Sequence, residues 1–451
     1  MSNLNLNNLG KKQIEILKNS KIFLKKNQSY SISADPRFFL ASWSDGLGKE
    51  SLKKISKEKS SFLKIFYEMF KCIFANNYIK RMDLSLDNLK KKNYENIIIS
   101  YLDEKNFKSK HVYYDKYFNF NANELRKTIL ILIPTNKKKH TSLFHNTAII
   151  NLTFRNFFLN FLISFFKFIN VLGIYLINKK KYSLNLAKSN FNHFLIREIY
   201  KIVEEKKVKK LIFPYEAQPH QHELTNFLKK NTKIKINGYM HTVLPPLPTD
   251  YIKREGSPHQ LIVNGKIQKN ILCKYLGWKK SEIKSISSPR YKNESKKKFQ
   301  NKIFLPIDFD NKSHILREIE DFIKSAEKNF LPKFSIRNHP AKSNSKKHNK
   351  LIEEINKILN INKFKFRSSK KNRNYSVFIG STASIIECLE RGLIGFHICE
   401  RPLFECYHPE LWKSVKIKKI LNNSFKYVVK NRQKIIKFGK NNRKEYLNCL
   451  K

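Results

Sequence analysis

The chain has 451 residues, which is enough for two domains of ordinary size, each with its own hydrophobic core. Its 90 Lys and Arg against 36 Asp and Glu leave a formal net charge of +54, which attracts anions such as phosphorylated substrates, anionic lipids or nucleic acids. The 6 cysteines form no CxxC pair and no regular framework, which argues against a zinc ribbon or a disulfide scaffold and favours reduced thiols in a cytoplasm.

The positive charge comes mainly from lysines that are dispersed along the chain. Asn, Ile and Phe are also frequent, a mix typical of an A+T-rich genome, so part of the charge reflects codon usage. We find no helix-turn-helix, RNP-like or clustered-arginine pattern and therefore expect no specific nucleic-acid partner. The opening segment MSNLNLNNLGKKQ has no apolar core preceded by positive charge, so no secretory signal is expected.

One acidic turn stands out in the N-terminal third. The segment ADPRFFLASWSDGLGKE, at Ala34–Glu50, places Asp45 in a glycine-containing bend. Such a bend can present a carboxylate in a cleft. Alternatively, Asp45 caps a helix that begins near Lys49.

Short apolar runs then alternate with helical patterns through the first two thirds of the chain. Continuous apolar runs bounded by turn residues are typical of strands that are buried on both faces of a parallel sheet. The alternation predicts an α/β first domain. The predicted strands are Ile97–Leu102, Ile129–Pro134, Leu211–Tyr215, Ile234–Tyr239 and Leu261–Val263.

The segment FRNFFLNFLISFFKFINVLGIYLI, at Phe154–Ile177, interrupts this pattern with dense aromatic and aliphatic residues. Its polar residues, including Lys167, leave no uninterrupted apolar stretch of the ~20 residues needed to cross a bilayer. With Lys179–Lys181 directly after it, the segment predicts either a buried helix or a helix lying in the inner membrane face.

A first chemical constellation lies in FPYEAQPHQHE, at Phe213–Glu223. The strand before it delivers Glu216 at its carboxyl end, where ligands gather in open α/β sheets. Glu216 is our predicted general base, the group that takes a proton from an acceptor hydroxyl. His220 and His222, in the opening of the next helix, are predicted to orient this base or to contact phosphate, and His241 follows the next strand.

This constellation has two other possible interpretations. A zinc site formed by Glu216, His220, His222 and His241 is disfavoured, because histidines two apart point to different faces of a helix and no cysteine is near. We therefore predict no metal. The structural alternative is a glutamate cap with surface histidines.

After a lysine-rich linker at Lys292–Lys302, the α/β alternation restarts and brings two further motifs. SIRNHP, at Ser335–Pro340, is a strand that ends in His-Pro. FIGSTASIIECLERG, at Phe378–Gly392, is a strand, a small-residue turn and a helix start. The backbone N–H groups of such a turn bind anions, so we predict a nucleotide phosphate site there. Ordinary helix-cap serines and a common His-Pro pair are the alternative.

This ordered pair of motifs resembles the C-terminal half of bacterial GT-B glycosyltransferases that make surface carbohydrate. The sialyltransferases and Kdo transferases of capsule and lipooligosaccharide synthesis carry such a His-Pro and a Ser-Ser/Thr motif, as do the CDP-alditol polymerases of teichoic acid synthesis. The segment Tyr215–Tyr239, with His241 after it, is similar to a segment of poorly characterised surface carbohydrate biosynthesis proteins. The matching motifs lie between residues 205 and 400.

The resemblance implies roles for individual residues. His339, Ser381 and Thr382 would hold the CMP part of a donor. Those families place their base in an acidic-Gly motif from which Ser44-Asp45-Gly46 departs, so Asp45 is a second choice after Glu216. Arg290 would meet donor phosphate, with a solvated linker arginine as the alternative. The full predicted nucleotide-binding set is His339, Pro340, Gly380, Ser381, Thr382, Ser384, Glu387 and Arg290.

We therefore predict an α/β, GT-B-like fold with two Rossmann-like domains and an interdomain cleft. Residues 1–290 would form an acceptor-side α/β domain with extra helices, residues 302–420 a nucleotide-binding Rossmann-like domain, and residues 421–451 a basic C-terminal helical tail.

The predicted activity is metal-independent transfer of a sugar from a nucleotide-activated donor, with CMP-sugars favoured by resemblance, to a surface-polysaccharide or lipid-linked glycan acceptor. The nucleotide-sugar is a substrate, and no cofactor is expected. The expected location is the cytoplasm, or the anionic inner face of the plasma membrane. Alternative functions are a CDP-alditol phosphotransferase and a basic non-catalytic protein that binds membranes or nucleic acid.

Overall fold

The structure is a computed structural model of the full chain. The residues it describes are 6–26, 62–84, 94–109, 112–121, 124, 127–134, 146–177, 189–288, 290–291, 299–325, 333–339, 342–363, 375–430, 435–438 and 448.

The strands fall into two larger sheets and one small one. In chain order they are β1 Ile79–Leu84, β2 Asn96–Leu102, β3 Phe107–Ser109, β4 Val112–Asp115, β5 Phe120–Asn121, β6 Thr128–Pro134, β7 Thr147–Phe154, β8 Lys210–Pro214, β9 Lys235–Tyr239, β10 Gln260–Val263, β11 Ile283–Ser285, β12 Lys302–Phe304, β13 Ser335–Arg337, β14 Tyr375–Ile379, β15 Ile394–Ile398, β16 Val415–Lys419 and β17 Ser424–Val429.

The described helices lie between and around these strands. In chain order they are α1 Leu6–Lys26, α2 Phe62–Asn77, α3 Phe157–Ile177, α4 Asn190–Lys206, α5 Pro219–Asn231, α6 Lys266–Tyr275, α7 Lys312–Ser325, α8 Lys346–Ile361, α9 Ser384–Glu390 and α10 Pro402–Glu405.

The first sheet has the strand order β1-β7-β6-β2-β8-β9-β10-β11. All neighbours are parallel except β1, which pairs antiparallel with β7 at the edge. Every residue of β2 and β6 is buried, as their continuous apolar sequences predict for strands covered on both faces. The carboxyl ends of β2, β6, β8, β9, β10 and β11 therefore meet along one edge.

The second sheet has the order β13-β12-β14-β15-β17-β16, in which the first four strands are parallel. Strand β14 lies at the centre of this sheet, and all five of its residues, YSVFI, are buried. The predicted fold class, α/β with two Rossmann-like sheets, is confirmed by these two strand orders.

The C-terminal region differs from the helical tail that we predicted for residues 421–451. Ser424–Val429 form β17, which pairs antiparallel with β15 and β16. The sequence SFKYVV buries Phe425 and Tyr427 against the sheet, and this packing outweighs the weak helical pattern of a lysine-rich segment. Farther on, Lys437 N donates to Asn264 O at 2.8 Å, which returns the chain to the first sheet.

The two sheets share buried contacts. One hydrophobic cluster runs from the strands of the first sheet to Phe378, Trp412 and Ile435. The indole Nε1 of Trp412 donates to Pro246 O at 3.0 Å. Helix α1 bridges both units, since the amide of Gln13 donates to Leu403 O and Cys406 O at 3.0 and 2.8 Å.

Among the described helices, none is both long enough and apolar enough to cross a membrane.

Candidate active site

The site begins in the loop between β8 and α5. Ala217 has φ 57°, a left-handed conformation that turns the chain sharply after the strand. The amide oxygen of Gln221 accepts from the backbone N–H of Glu216 and of Gln218 at 3.0 and 3.2 Å, and its Nε2 donates to Pro214 O at 2.7 Å. This glutamine fixes the loop, so the direction of the Glu216 side chain is set by the fold.

The Glu216 carboxylate is held on both oxygens. Gln218 Nε2 donates to Oε2 at 2.5 Å, and His241 Nε2 lies 3.3 Å from Oε1. Gln218 is positioned in turn by Tyr101, whose hydroxyl donates to Gln218 Oε1 at 2.9 Å. About a quarter of the Glu216 side chain, 24%, stays accessible, whereas His241 is 4% accessible. The carboxylate is thus fixed and partly open to a substrate.

Burial raises the pKa of Glu216 from 4.5 to about 7, while the positive charge of Arg290 and the hydrogen bond from Gln218 lower it. Desolvation disfavours the charged carboxylate, and the neighbouring donors only partly offset this effect. A pKa near neutrality lets the same group hold or release a proton at physiological pH, which a general base requires.

His241 stays neutral in this environment. Burial and the positive charge of Arg290 hold its pKa well below its usual value. A neutral imidazole at 3.3 Å can donate an N–H to the carboxylate but does not form an ion pair with it. Tyr117 packs edge-on against this ring at 4.7 Å between centroids and closes one side of the site.

Arg290 supplies the main positive charge of the site. It follows β11 at the same sheet edge, is exposed, and acts electrostatically on Glu216, His241 and Tyr117. Burial raises the pKa of its neighbour Tyr291, and the charges of Glu387 and Arg391, on α9 and just after it, also act on that pKa. Arg290 is therefore an exposed cation near Glu216, and its contact with donor phosphate stays a prediction.

The prediction that His220 and His222 face substrate differs from the structure. His220 packs edge-on against Phe191 at 5.7 Å, and burial lowers its pKa to about 3. His222 is fully buried, with its ring nitrogens 3.1 Å from Gly256 O and from Ala217 O. Helix α5 buries these positions against α4 and the sheet, so both histidines belong to the packing beneath the loop.

The second predicted motif lies at the corresponding edge of the second sheet. Gly380 follows β14 with φ 63°, and a Cβ at this position would lie 3.1 Å from Pro306 Cβ. Ser381, Thr382 and Ser384 are half-buried. The predicted strand, glycine turn and helix are therefore present, although the residue before α9 is Ala383 and it makes no side-chain cap.

Behind this turn lies a buried polar cluster. His397 Nε2 lies 2.7 Å from Gly380 O, and its Nδ1 lies 3.2 Å from the Tyr427 hydroxyl and 3.4 Å from Cys399 Sγ. Ligand atoms of His397, Cys399 and Glu405 all lie within 4.8 Å of one another. The hydrogen bond from His397 anchors the carbonyl of Gly380 and so helps to fix the turn.

His339 lies two residues after the end of β13, at the same edge, and is half-buried. Burial lowers its pKa, and the nearby His348 and Lys342 act in the same direction. Because β12 lies between β13 and β14, His339 and Gly380 are two strands apart, about 10 Å. A nucleotide phosphate or ribose can bridge this distance.

Glu387, one of the predicted nucleotide-binding residues, has an ion-pair partner in the structure. It lies on α9, and its Oε1 is 3.4 Å from the guanidinium of Arg391, four residues later and almost fully buried. This spacing places the two side chains next to each other, and nucleotide binding by Glu387 stays a prediction.

Two of the predicted site residues, Asp45 and Pro340, lie outside the described residues.

Sequence reasoning missed Tyr101, Tyr117 and Gln218 as parts of the Glu216 site. Gln218 lies inside the predicted motif, and its position two residues after Glu216 could have indicated that it contacts the carboxylate. Tyr101 and Tyr117 come from β2 and the small sheet, and only the parallel strand order β2-β8-β9 brings them to Glu216.

No protein-family model matches the chain, and no curated protein matches it. Among solved structures, a glycosyltransferase from Rickettsia africae ESF-5 aligns with 11% identity over 70% of this chain and 87% of its own, with a TM-score of 0.34. The apo form of the lipopolysaccharide outer core galactosyltransferase WaaB aligns with 9% identity over 67% of this chain and 79% of its own, with a TM-score of 0.31. Likenesses at such scores carry no conclusion about the function of this chain.

Proposed function

We propose that this protein transfers a sugar from a nucleotide-activated donor to a hydroxyl acceptor, with Glu216 as the general base. The observation that carries the proposal is the fixed, partly accessible Glu216 carboxyl, whose pKa burial raises to about 7 at the carboxyl edge of a parallel sheet. The sequence resemblance to surface-carbohydrate transferases supports the same reaction class.

In the proposed step, Glu216 takes the proton of the acceptor hydroxyl while the hydroxyl oxygen attacks the anomeric carbon of the donor. The bond between that carbon and the phosphate oxygen breaks, and the nucleotide leaves with the electron pair. Gln218 and His241 lie against the two carboxylate oxygens, and we propose that Arg290 stabilises the negative charge that grows on the leaving phosphate.

The second sheet is proposed to hold the nucleotide. His339 and the Gly380–Ser384 turn lie at one edge of that sheet. The N–H of Gly380 bonds to Ile398 O and that of Ser384 to Thr382 Oγ1, so the donors proposed for a phosphate are the backbone N–H groups of residues 381–383. We favour a CMP-linked donor on the resemblance of these motifs, and an acceptor that is a surface polysaccharide or a lipid-linked glycan. The proposed chemistry uses protein groups alone and needs no metal or cofactor.

Calorimetric titration tests the nucleotide site. Purified protein is titrated with CMP, CDP, UDP and GDP at moderate salt, beside the His339→Ala variant. We expect selective binding of cytidine nucleotides that the variant weakens at least tenfold. Equal, weak binding of all four that disappears with added salt would mean that the chain's positive charge alone attracts them, and the donor site would be rejected.

Product analysis separates sugar transfer from the CDP-alditol alternative. Incubation with CMP-linked and CDP-linked donors is followed by chromatography of the released nucleotide. Release of CMP from a CMP-sugar, dependent on Glu216, supports glycosyl transfer. Release of CMP from a CDP-alditol, with a phosphodiester in the product, indicates a phosphotransferase instead.

A further inference from the structure

Exposed apolar side chains are concentrated on one helix pair. Among the described residues, 12 large hydrophobic side chains are exposed, and 10 of them lie on α2 and α3. We call these 10 the α2–α3 patch. Its members are Leu63, Tyr67, Phe157, Phe158, Leu159, Phe161, Leu162, Phe165, Phe166 and Ile169.

Helix α3 buries two polar residues and exposes most of its aromatic ones, unlike a helix on a water-soluble surface. Asn160 and Ser164 are fully buried, Val171 and Phe168 pack on α2 as well, and Phe158 and Phe166 are each 70% exposed. Asn160 Nδ2 donates to Phe74 O of α2 at 3.0 Å, an interhelical hydrogen bond. In water the aromatic residues would pack inward and the polar ones outward. Polar contacts inside and phenylalanines outside are expected where the surroundings are themselves apolar.

The single charge within α3 is also arranged for an apolar boundary. Lys167 Nζ donates to Asn77 Oδ1 at 2.6 Å, so the ammonium is directed along the helix pair toward the end of α2. Burial lowers the pKa of Lys167. A lysine that lays its alkyl chain on apolar surface and directs its head group to a polar neighbour is the pattern of a membrane-interface helix.

The charge of the chain distinguishes lipid from a second copy as the occupant of this surface. With a formal net charge of +54, two copies repel each other, whereas an anionic lipid surface attracts the protein. Arg155, Lys71 and Lys80 flank the patch, and α3 contains no acidic residue. An aromatic surface with cations around it suits anionic headgroups above acyl chains.

Helix α3, which carries most of the patch, begins at the same edge of the sheet as Glu216. Strand β7 runs parallel to β6 and leads into α3 from its carboxyl end, and Glu216 follows the carboxyl end of β8. In the order β7-β6-β2-β8 the two strands are three steps apart, about 14 Å.

We propose that the α2–α3 patch inserts shallowly into one leaflet of an anionic phospholipid membrane and holds the Glu216 site at the lipid surface. Membrane binding follows from the patch alone. The further statement, that the acceptor is presented by the membrane as a lipid-linked glycan, rests on the proposed transferase function.

Vesicle flotation tests the docking. Full-length protein is mixed with vesicles of phosphatidylglycerol and phosphatidylcholine, or of phosphatidylcholine alone, without any donor. The double variant Phe158→Gln/Phe166→Gln removes two exposed phenylalanines and should bind the anionic vesicles about a hundredfold more weakly, about tenfold for each side chain. The matched control Ile22→Gln/Ile361→Gln removes exposed aliphatic side chains elsewhere and should bind like the unchanged protein.

Three outcomes would overturn the proposal. The first is equal vesicle binding by the double variant and the unchanged protein, since charge alone would then hold the membrane. The second is no binding of the unchanged protein to either vesicle. The third is a lipid-free dimer that the double variant converts to a monomer in light scattering, with no vesicle binding, which would make a second copy the occupant.

The result is separable from that of the transferase proposal. Glu216→Gln should float with vesicles like the unchanged protein while losing transfer. Conversely, the double variant should keep nucleotide binding by calorimetry, because Phe158 and Phe166 lie outside the site. If the protein binds vesicles but no nucleotide, the membrane-docking proposal is supported and the transferase proposal is rejected.

Discussion

His241 Nε2 lies 3.3 Å from Glu216 Oε1, although the two residues come from loops after different strands, β8 and β9. The parallel pairing of these strands sets the distance, since Pro214 is in register with Tyr239 and each side chain follows two residues later. The contact is therefore a property of the sheet. It makes His241 a positioning residue for the proposed base.

Replacing Glu216 by Gln should abolish most of the transfer activity. The amide keeps the size and part of the hydrogen bonding of the carboxylate but cannot take a proton, so we expect kcat to fall about 10²- to 10⁴-fold while nucleotide affinity changes little. Initial rates of donor consumption and calorimetry measure the two effects. Glu255→Gln, a partly exposed carboxylate paired with Lys230, is the matched control and should retain full activity. If the Glu216→Gln variant keeps the kcat of the unchanged protein, Glu216 is not the general base.

The rate should depend on pH through the ionisation of Glu216. Only the carboxylate form accepts a proton, so kcat/KM should rise with pH and level off above about 7. Arg290 lowers the pKa of Glu216, and Arg290→Gln should therefore move the midpoint of the profile upward. Arg290→Lys keeps the charge and should restore the midpoint. A midpoint that is identical in all three proteins would mean that another group controls the rate.

The sequence predicts the sheets better than it predicts the surroundings of the site. Strands β8 and β14 are continuous apolar runs, and such runs have few alternatives inside an α/β domain. Strand β17, by contrast, carries lysine and is decided by its pairing with β15 and β16, which is long-range information. For the same reason Tyr117 could not be assigned to the site from sequence, since only the folded chain places its ring against His241.

The sequence also does not predict whether a polar side chain faces the cleft or the interior. Glu216 and His220 stand four residues apart in one motif, yet the first is partly open and the second is packed against Phe191. The left-handed turn at Ala217 separates them, and a left-handed alanine has no sequence signal. In α3 the apolar content was visible in the sequence, but the outward direction of Phe158 and Phe166 depends on which face contacts α2.

The free energy of unfolding should fall as pH rises past the ordinary pKa of a carboxyl group. The folded protein holds a proton on Glu216 up to about pH 7, whereas the unfolded chain releases it near 4.5. Stability from this group is therefore full below pH 4.5 and is lost as pH rises through 7, by at most about 3 kcal/mol. Denaturant unfolding of the unchanged protein and of Glu216→Gln at pH 5 and pH 8 measures the difference.

In that comparison Glu216→Gln should lose less stability between pH 5 and pH 8, because glutamine has no proton to release. The other titrating groups are common to both proteins and cancel in the difference. An equal loss in the two proteins would contradict a raised pKa at Glu216. It would also weaken the interpretation of the pH-rate profile, which depends on the same ionisation.

Gly380→Ala should weaken nucleotide binding by distorting the turn after β14. The residue has φ 63°, which costs an alanine about 1 kcal/mol, and the new methyl group would lie 3.1 Å from Pro306 Cβ. Because the turn carries the N–H donors proposed for the phosphate, we expect cytidine-nucleotide affinity to drop about tenfold or more in calorimetry. Gly173→Ala is the control, since nothing lies within 4 Å of a Cβ there, and it should bind normally. Normal binding by Gly380→Ala, with an equally stable fold, would place the nucleotide elsewhere than on this turn.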